Sequence, residues 1–236
     1  MKNKCVLITG TTNGIGKDLK NIYLSKKYEV ISVNRVGSEV KNIKNSYNFN
    51  IDISNKDEVN NLFITLNNKN FVPEIYIFNA GINKTDFIGN YNNKNFNEVI
   101  NTNFLSVTYF CNNIINNNIQ NKTLIFISSF STMYYNKNCI GYYFSKLMIN
   151  RYFEEIKISF PNNNYKLIAF GPIETKIKRF FQNENTFNKI VFSLLSIKSL
   201  KAAKVIYNFS ISKSTLKNYP YKVYLFYKLC RFIAMK

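Results

Sequence analysis

Cys5-Val-Leu-Ile-Thr-Gly10-Thr-Thr-Asn-Gly14-Ile-Gly16, followed by a segment of helical character over Lys17–Lys26, is the stretch on which the reading of the fold turns. Its apolar run, closed by a glycine turn, predicts a buried strand over Cys5–Ile8, and the turn opens a helix over residues 14–26. Glycines in such a turn let the backbone bend sharply and approach a pyrophosphate seated on the free N–H groups of a helix N-terminus. A glycine-rich turn by itself is weak evidence, because turns need glycine in any case. Its weight comes from lying between a strand and a helix at the head of a series of such units. Gly10, Thr12, Asn13, Gly14, Ile15 and Gly16 are therefore candidate cofactor-binding residues.

Moving outward, short apolar runs at Val30–Val33, Tyr47–Ile51, Ile75–Phe78, Leu124–Ile127 and Lys166–Phe170 alternate with helical stretches at 55–68, 92–118 and 139–158. Six strands joined by crossover helices imply an α/β class fold, a doubly wound parallel sheet of the Rossmann type covered on both faces. No linker divides the chain, and the asparagine clusters Asn116–Asn118 and Asn162–Asn164 fall where loops are due. The expected organisation is a single catalytic domain over residues 1–211 with a basic, aromatic appendage over 212–236. A ligand in such a sheet binds at the carboxyl ends of the strands.

Composition narrows the chemistry. The 236 residues include no histidine, which excludes Ser-His-Asp and Cys-His hydrolysis, imidazole acid–base work and the common zinc sites with a His ligand. Any proton shuttle must use Tyr, Lys, Ser, Cys or a carboxylate. The cysteines, Cys5, Cys111, Cys139 and Cys230, form no C-x-x-C pair, so no metal site or disulfide staple is expected and a reducing cytoplasm fits. The apolar run after Met1 is too short for a secretory leader, and no stretch is long and apolar enough to span a bilayer. A net charge of +19 invites a nucleic-acid reading. The basic residues are 28 Lys and only 4 Arg, against 40 Asn, 30 Ile, 21 Phe and 17 Tyr, a bias better explained by coding composition than by nucleic-acid recognition, which favours the arginine fork. No nucleic-acid partner is expected.

The second strand ends in Val33-Asn34-Arg35, 19 residues beyond Gly16, where a carboxylate would hold the ribose 2′-hydroxyl of NAD. An arginine in that place suits a 2′-phosphate, so NADP(H) is favoured over NAD(H), and Asn34 and Arg35 are both candidate cofactor-binding residues. Asp52, with Ile53 beside it, closes the third strand; its carboxylate can accept from an adenine amino group or cap the next helix.

With histidine absent, tyrosine paired with lysine is the obvious proton shuttle, but the spacing Tyr-x-x-x-Lys occurs three times, at Tyr23/Lys27, Tyr142/Lys146 and Tyr224/Lys228. Placement separates them: only Tyr142 opens a helix that follows a strand ending in a serine, Ser129, 13 residues earlier. At i and i+4 the phenol and ammonium share a helix face, and a neighbouring cation is expected to lower the phenol pKa by favouring phenolate. Ser129 would orient a substrate oxygen toward Tyr142. In the long helix 92–118 the apolar stripe Phe96, Val99, Val107, Phe110, Ile114 is interrupted by Asn103, and a buried asparagine needs partners.

Thr9-Gly-x-x-x-Gly-Ile-Gly16, Asn79-Ala-Gly81, Asn103, Ser129, Tyr142-x-x-x-Lys146 and Gly171-Pro-Ile-Glu-Thr175 together closely resemble the short-chain dehydrogenase/reductase family, in order and spacing, across residues 4–210. The resemblance implies a catalytic tetrad of Asn103, Ser129, Tyr142 and Lys146, with Tyr142 as general acid or base and Lys146 also holding the nicotinamide ribose. By the same resemblance Asn79, Ala80 and Gly81 line the adenine ribose side, and Ile173 and Thr175 meet the nicotinamide carboxamide. The chain departs from the family pattern at Ser106, where a glycine is usual, at Phe170-Gly171, where Pro-Gly is usual, and in lacking a recognisable glycine-rich last strand.

Residues 185–236 carry ten basic side chains and no carboxylate, and the aromatic, basic segment 219–236 suits either peripheral contact with a membrane or packing on protein. Lys222, Lys228 and Arg231 do not share one narrow helix face. Phe180, Phe181, Phe187, Ile190, Phe192, Leu194 and Leu195, in the segment that covers the substrate in relatives, favour an apolar small-molecule substrate. The reading is a cytoplasmic, dimeric or tetrameric NADP(H)-dependent oxidoreductase acting on a carbonyl or secondary alcohol. Alternatives are nucleotide-sugar epimerisation or dehydration, for which residues 176–210 leave little room, and a cofactor-sensing or membrane-docked binding protein.

Overall fold

The structure is a computed structural model that describes residues 4–37, 43–87, 92–133, 139–174 and 195–234. Strands β1 (Cys5–Thr9), β2 (Glu29–Asn34), β3 (Ser46–Asn50), β4 (Ile75–Phe78), β5 (Thr123–Ser129), β6 (Asn164–Phe170) and β9 (Leu216–Tyr219) form one sheet in the order β3-β2-β1-β4-β5-β6-β9. Every pairing in it is parallel, and a separate pair, β7 (Ile173–Glu174) and β8 (Ile197–Lys198), lies beyond β6. The order reverses at β1 and β4, which marks the switch point where a doubly wound sheet opens a crevice.

The helices are α1 (Gly14–Ser25), α2 (Lys56–Asn68), α3 (Asn93–Ile100), α4 (Ser106–Asn116), α5 (Ile140–Ser159), α6 (Ser199–Ser210) and α7 (Tyr221–Ala234). Strand alternation sends neighbouring side chains to opposite faces. In β1, Cys5 and Leu7 join a core with Val59 and Leu62 of α2, Phe110 of α4 and Phe153 of α5. Val6 and Ile8 join a second core with Leu19 and Tyr23 of α1 and Ala202 and Ile206 of α6. Both faces are buried, as the continuous apolar strands require. The α1–α6 packing is tied across the chain by a 2.8 Å hydrogen bond from Tyr23 Oη to Ser210 Oγ.

The helix read over 92–118 runs without a break from α3 to α4 and carries a π-helical turn at Asn101–Leu105. The last strand, unrecognised in the sequence, is β9, paired with β6 from Leu167↔Leu216 to Phe170↔Tyr219, so the sheet continues past residue 211. Local polarity hides it: Leu216 and Lys217 are exposed at the sheet edge, and a four-residue edge strand has no alternation to read. Asparagine takes several positive-φ turns, at Asn45, Asn70, Asn118 and Asn121, which its short polar side chain tolerates better than most.

Candidate active site

The first βα turn is built by exclusion of side chains. Gly10 has φ +72° and a Cβ there would lie 3.0 Å from Ala80 Cα; a Cβ on Gly16 would fall 1.9 Å from the Gly10 carbonyl oxygen. Only glycine fits at either place. Asn79 fastens the neighbouring loop to this turn: its Nδ2 donates to the carbonyls of Thr9 and Gly10 at 3.0 and 2.9 Å, while Thr9 Oγ1 accepts from the N–H groups of Asn79 and Ala80 at 3.0 and 2.9 Å. At the start of α1, Asn13 makes no side-chain cap and the first turn holds no acidic residue. The N–H groups that open this helix, facing a loop free of carboxylates, form a cradle for an anion, and the residues present fit a dinucleotide phosphate. Gly14 and Ile15 are half-buried in the turn, and Thr12 and Asn13 are exposed on its rim.

Asn34 and Arg35 divide the task expected of them. Asn34 is buried, and its Oδ1 accepts from Thr11 N–H at 2.8 Å and Thr11 Oγ1 at 3.1 Å, so it braces the glycine turn. Arg35 is exposed at the end of β2. Asp52 Oδ1 accepts from the N–H and hydroxyl of Ser54, at 2.9 and 2.7 Å, so it holds the turn before α2 and does not cap the helix; Asn55 is the cap, accepting from Asp57 and Glu58. Ile53 packs against the core.

The second cluster lies at the carboxyl ends of β4, β5 and β6. Ser129 ends β5 and its Oγ accepts from Ser131 N–H at 3.1 Å. A hydrogen bond also joins Ser129 to Tyr142 on the first turn of α5, and it draws the phenol pKa down. Burial is the larger influence and moves Tyr142 above the ordinary tyrosine value, so the expected lowering by Lys146 is not what this arrangement displays. Lys146, one turn further along α5, is buried; its Nζ donates to the Ile127 carbonyl at 2.9 Å and lies 5.6 Å from the Tyr142 ring centroid. Burial pulls its pKa down from 10.5 to about 8.

Asn103 sits in the π-helical turn, buried, with its side chain fully engaged. Oδ1 accepts from Ile82 N–H at 2.8 Å, and Nδ2 donates to the Ile82 carbonyl at 2.9 Å and to Ser145 Oγ at 3.1 Å. It pins the loop after β4, with Gly81 close beside it, to α5. Ser106, standing where the family pattern has glycine, donates from Oγ to the Thr102 carbonyl at 2.6 Å and so occupies a backbone acceptor that the π turn rearranges. Gly171 is explained by packing: a Cβ would meet Val223 and Phe130 at 3.1 and 3.2 Å. Ile173 lies in β7 against the second core. Thr175, and the apolar segment through Leu194, lie outside the described residues.

Of the three Tyr-x-x-x-Lys pairs, only Tyr142/Lys146 stands at Ser129. Tyr23 is buried in the α1–α6 interface, with Lys27 already beyond the helix end at φ 61°, and Tyr224 packs on Phe130. Sequence reading missed Ser145 and Phe130. Ser145 is completely buried and bridges the Asn103 side chain to the Tyr142 carbonyl, accepting from the first and donating to the second. Its position immediately before Lys146, on the side of α5 that faces Asn103, was the available signal.

Comparison with known proteins shows the family and the fold. Residues 4–186 match the family model described as short chain dehydrogenase. A curated relative, 3-oxoacyl-[acyl-carrier-protein] reductase FabG of Buchnera aphidicola subsp. Schizaphis graminum, is 25% identical over 227 residues, covering 92% of each chain. Among solved structures, "ElxO with NADP Bound" superposes with a TM-score of 0.80 at 21% identity, covering 92% of this chain and 97% of that one. "4-hydroxyisoleucine dehydrogenase complexed with NADH" superposes at 0.79 and 20% identity, covering 92% and 96%; these two likenesses speak to the fold. With the family model matched over well more than half its length, the chain belongs to the short-chain dehydrogenase family and is an oxidoreductase.

Proposed function

We propose that the protein moves a hydride between the nicotinamide of NADP(H) and the carbon of a carbonyl or secondary alcohol, with Tyr142 exchanging the proton at the substrate oxygen. The observation that carries this reading is the meeting of Ser129, Tyr142 and Lys146 at the carboxyl edge of the same sheet that opens the glycine cradle at β1. The nicotinamide, when bound, supplies or accepts the hydride. Ser129 Oγ holds the substrate oxygen beside the Tyr142 hydroxyl. In the reducing direction Tyr142 gives up its proton to that oxygen, and the charge left on the phenolate is met by the Lys146 ammonium. Burial, which raises the Tyr142 pKa, keeps the phenol protonated until substrate arrives. Lys146 spends one N–H on the Ile127 carbonyl and keeps others that would hold the ribose hydroxyls when the cofactor is bound. Asn103 positions the Ile82 loop and, through Ser145, the first turns of α5.

Exposed Arg35 supports NADP(H) over NAD(H), since a guanidinium pairs with a 2′-phosphate and Arg35 directly follows β2, where a carboxylate would repel that phosphate. The relatives' name supports a substrate carbonyl carried on an acyl chain. Phe144 and Met148, exposed on α5, suit a homodimer or homotetramer, in the cytoplasm.

Tyr142→Phe tests the mechanism. The variant should lose at least about a thousandfold in kcat, as expected for a positioned proton donor, while its NADPH affinity by fluorescence titration changes by less than about threefold. Turnover near the parent rate would remove Tyr142 from the mechanism.

A further inference from the structure

Helix α7 presents two unlike faces. Its inner face docks on the body: Val223 is buried, and the rings of Tyr224 and Tyr227 lie 5.7 and 5.9 Å from the ring of Phe130. Its outer face is apolar rather than polar. Tyr221 is 62% exposed, Leu225 46%, Phe226 47% and Leu229 58%. Residues 221, 225 and 229 follow one another at four-residue spacing, one stripe of a helix, with Phe226 further round and exposed Lys222 and Lys228 alongside. The cations that look scattered in the sequence thus flank an apolar stripe on the side away from the core.

Charge decides what can cover this face. Lys222 and Lys228 are its described cations, and the sequence from Tyr221 onward holds no acidic side chain to oppose them. A second copy offering the same helix would bring cation against cation. An anionic lipid surface answers both features, taking the rings and leucines among its acyl chains while the lysine stems reach back to the headgroups.

The sheet places this helix beside the site. Ser129 pairs with Phe170, and Phe170 with Tyr219, so the residue that ends β9 lies two strands from Ser129, about 10 Å across the sheet. Phe130, the neighbour of Ser129, is itself the floor on which α7 rests. We propose that the outer face of α7 docks the protein on anionic membranes with the carboxyl edge of the sheet turned toward the lipid. For the oxidoreductase reading this means that an apolar carbonyl substrate reaches the site from the bilayer, a consequence that rests on that reading; the docking itself does not.

Co-flotation of the full chain with vesicles of phosphatidylglycerol and phosphatidylcholine, against vesicles of phosphatidylcholine alone, tests this. The chain should bind the anionic vesicles, and binding should weaken as salt is raised. Leu225→Asn/Leu229→Asn, and separately Lys222→Glu/Lys228→Glu, should each weaken binding by about tenfold or more while leaving NADPH oxidation with a short water-soluble ketone unchanged. Absence of binding by the parent chain, or undiminished binding by the leucine variant, overturns the proposal. So does a change in sedimenting mass of the leucine variant without vesicles, which would assign the face to a second copy. Vesicle binding by a chain that oxidises no NADPH would keep the docking and overturn the proposed activity.

Discussion

Arg35 and Asn34 are adjacent residues that the sequence offers for the same purpose, and the structure gives them different ones. Asn34 is spent on Thr11, and removing its Oδ1 would loosen the glycine turn whichever cofactor is bound. Arg35, exposed at the strand end, is free to discriminate. Arg35→Asp replaces an attraction for a 2′-phosphate with a repulsion and gives the 2′-hydroxyl of NADH an acceptor. The ratio of kcat/KM for NADPH over NADH should fall by roughly a hundredfold, the size expected when a charge-assisted hydrogen bond gives way to like-charge repulsion. An unchanged ratio would show that another residue selects the cofactor. The meeting of Ser129, Tyr142 and Lys146 is legible in the sequence because chemistry restricts it: no histidine, one serine at a strand end, and one Tyr/Lys pair placed to meet it; Asn103 shows only as a polar residue in an apolar row.

At the scale of elements, legibility follows burial. Strands β1 and β4 lie in the middle of the sheet, are apolar on both faces and can be read to within a residue, whereas β9, at the edge, has mostly polar neighbours in sequence and leaves no pattern to read. The π turn at Asn101–Leu105 is visible in the sequence only as a polar residue in an apolar row. That turn has a job for α5 to share: Ser145 carries the contact from Asn103 to the Tyr142 backbone. Ser145→Ala should leave the Asn103 amide one acceptor short in a buried place, costing about 1–2 kcal/mol of stability. As a positioning residue, Ser145 should also show a split in kinetics: kcat lower by about tenfold, with NADPH affinity by titration nearly unchanged. Equal effects on both, or on neither beyond the loss of stability, would reduce Ser145 to a packing role.

Across the whole molecule, buried ionisable groups set how stability responds to pH, and the missing histidine makes that response simple. Lys20, Lys146 and Lys166 are buried with no carboxylate partner among the described residues, and burial lowers the pKa of each. A base with a lower pKa folded than unfolded binds fewer protons in the native state over the interval between the two values, so stability rises with pH there. For Lys146 that interval runs from about 8 to the ordinary 10.5, and its passage from about pH 7 to 9 contributes about 1 kcal/mol. The opposite sign belongs to Cys111, Tyr23 and Tyr76, which burial pushes up: unfolding releases them to ionise from about pH 9 for the thiol and about 10 for the phenols, and stability falls beyond those values. Thermal melts of the cofactor-free chain should therefore be level from about pH 6 to 7.5, rise by roughly 2–4 °C toward about pH 9, and drop above about pH 10. Lys146→Met, which keeps the stem and removes the amine, should flatten the rise while leaving the alkaline fall in place. A midpoint that declines steadily between about pH 7 and 9 in the parent chain would mean that Lys146 is held as a well-compensated ammonium in the cofactor-free protein, and that the groups around the Ile127 carbonyl solvate it far better than its burial implies.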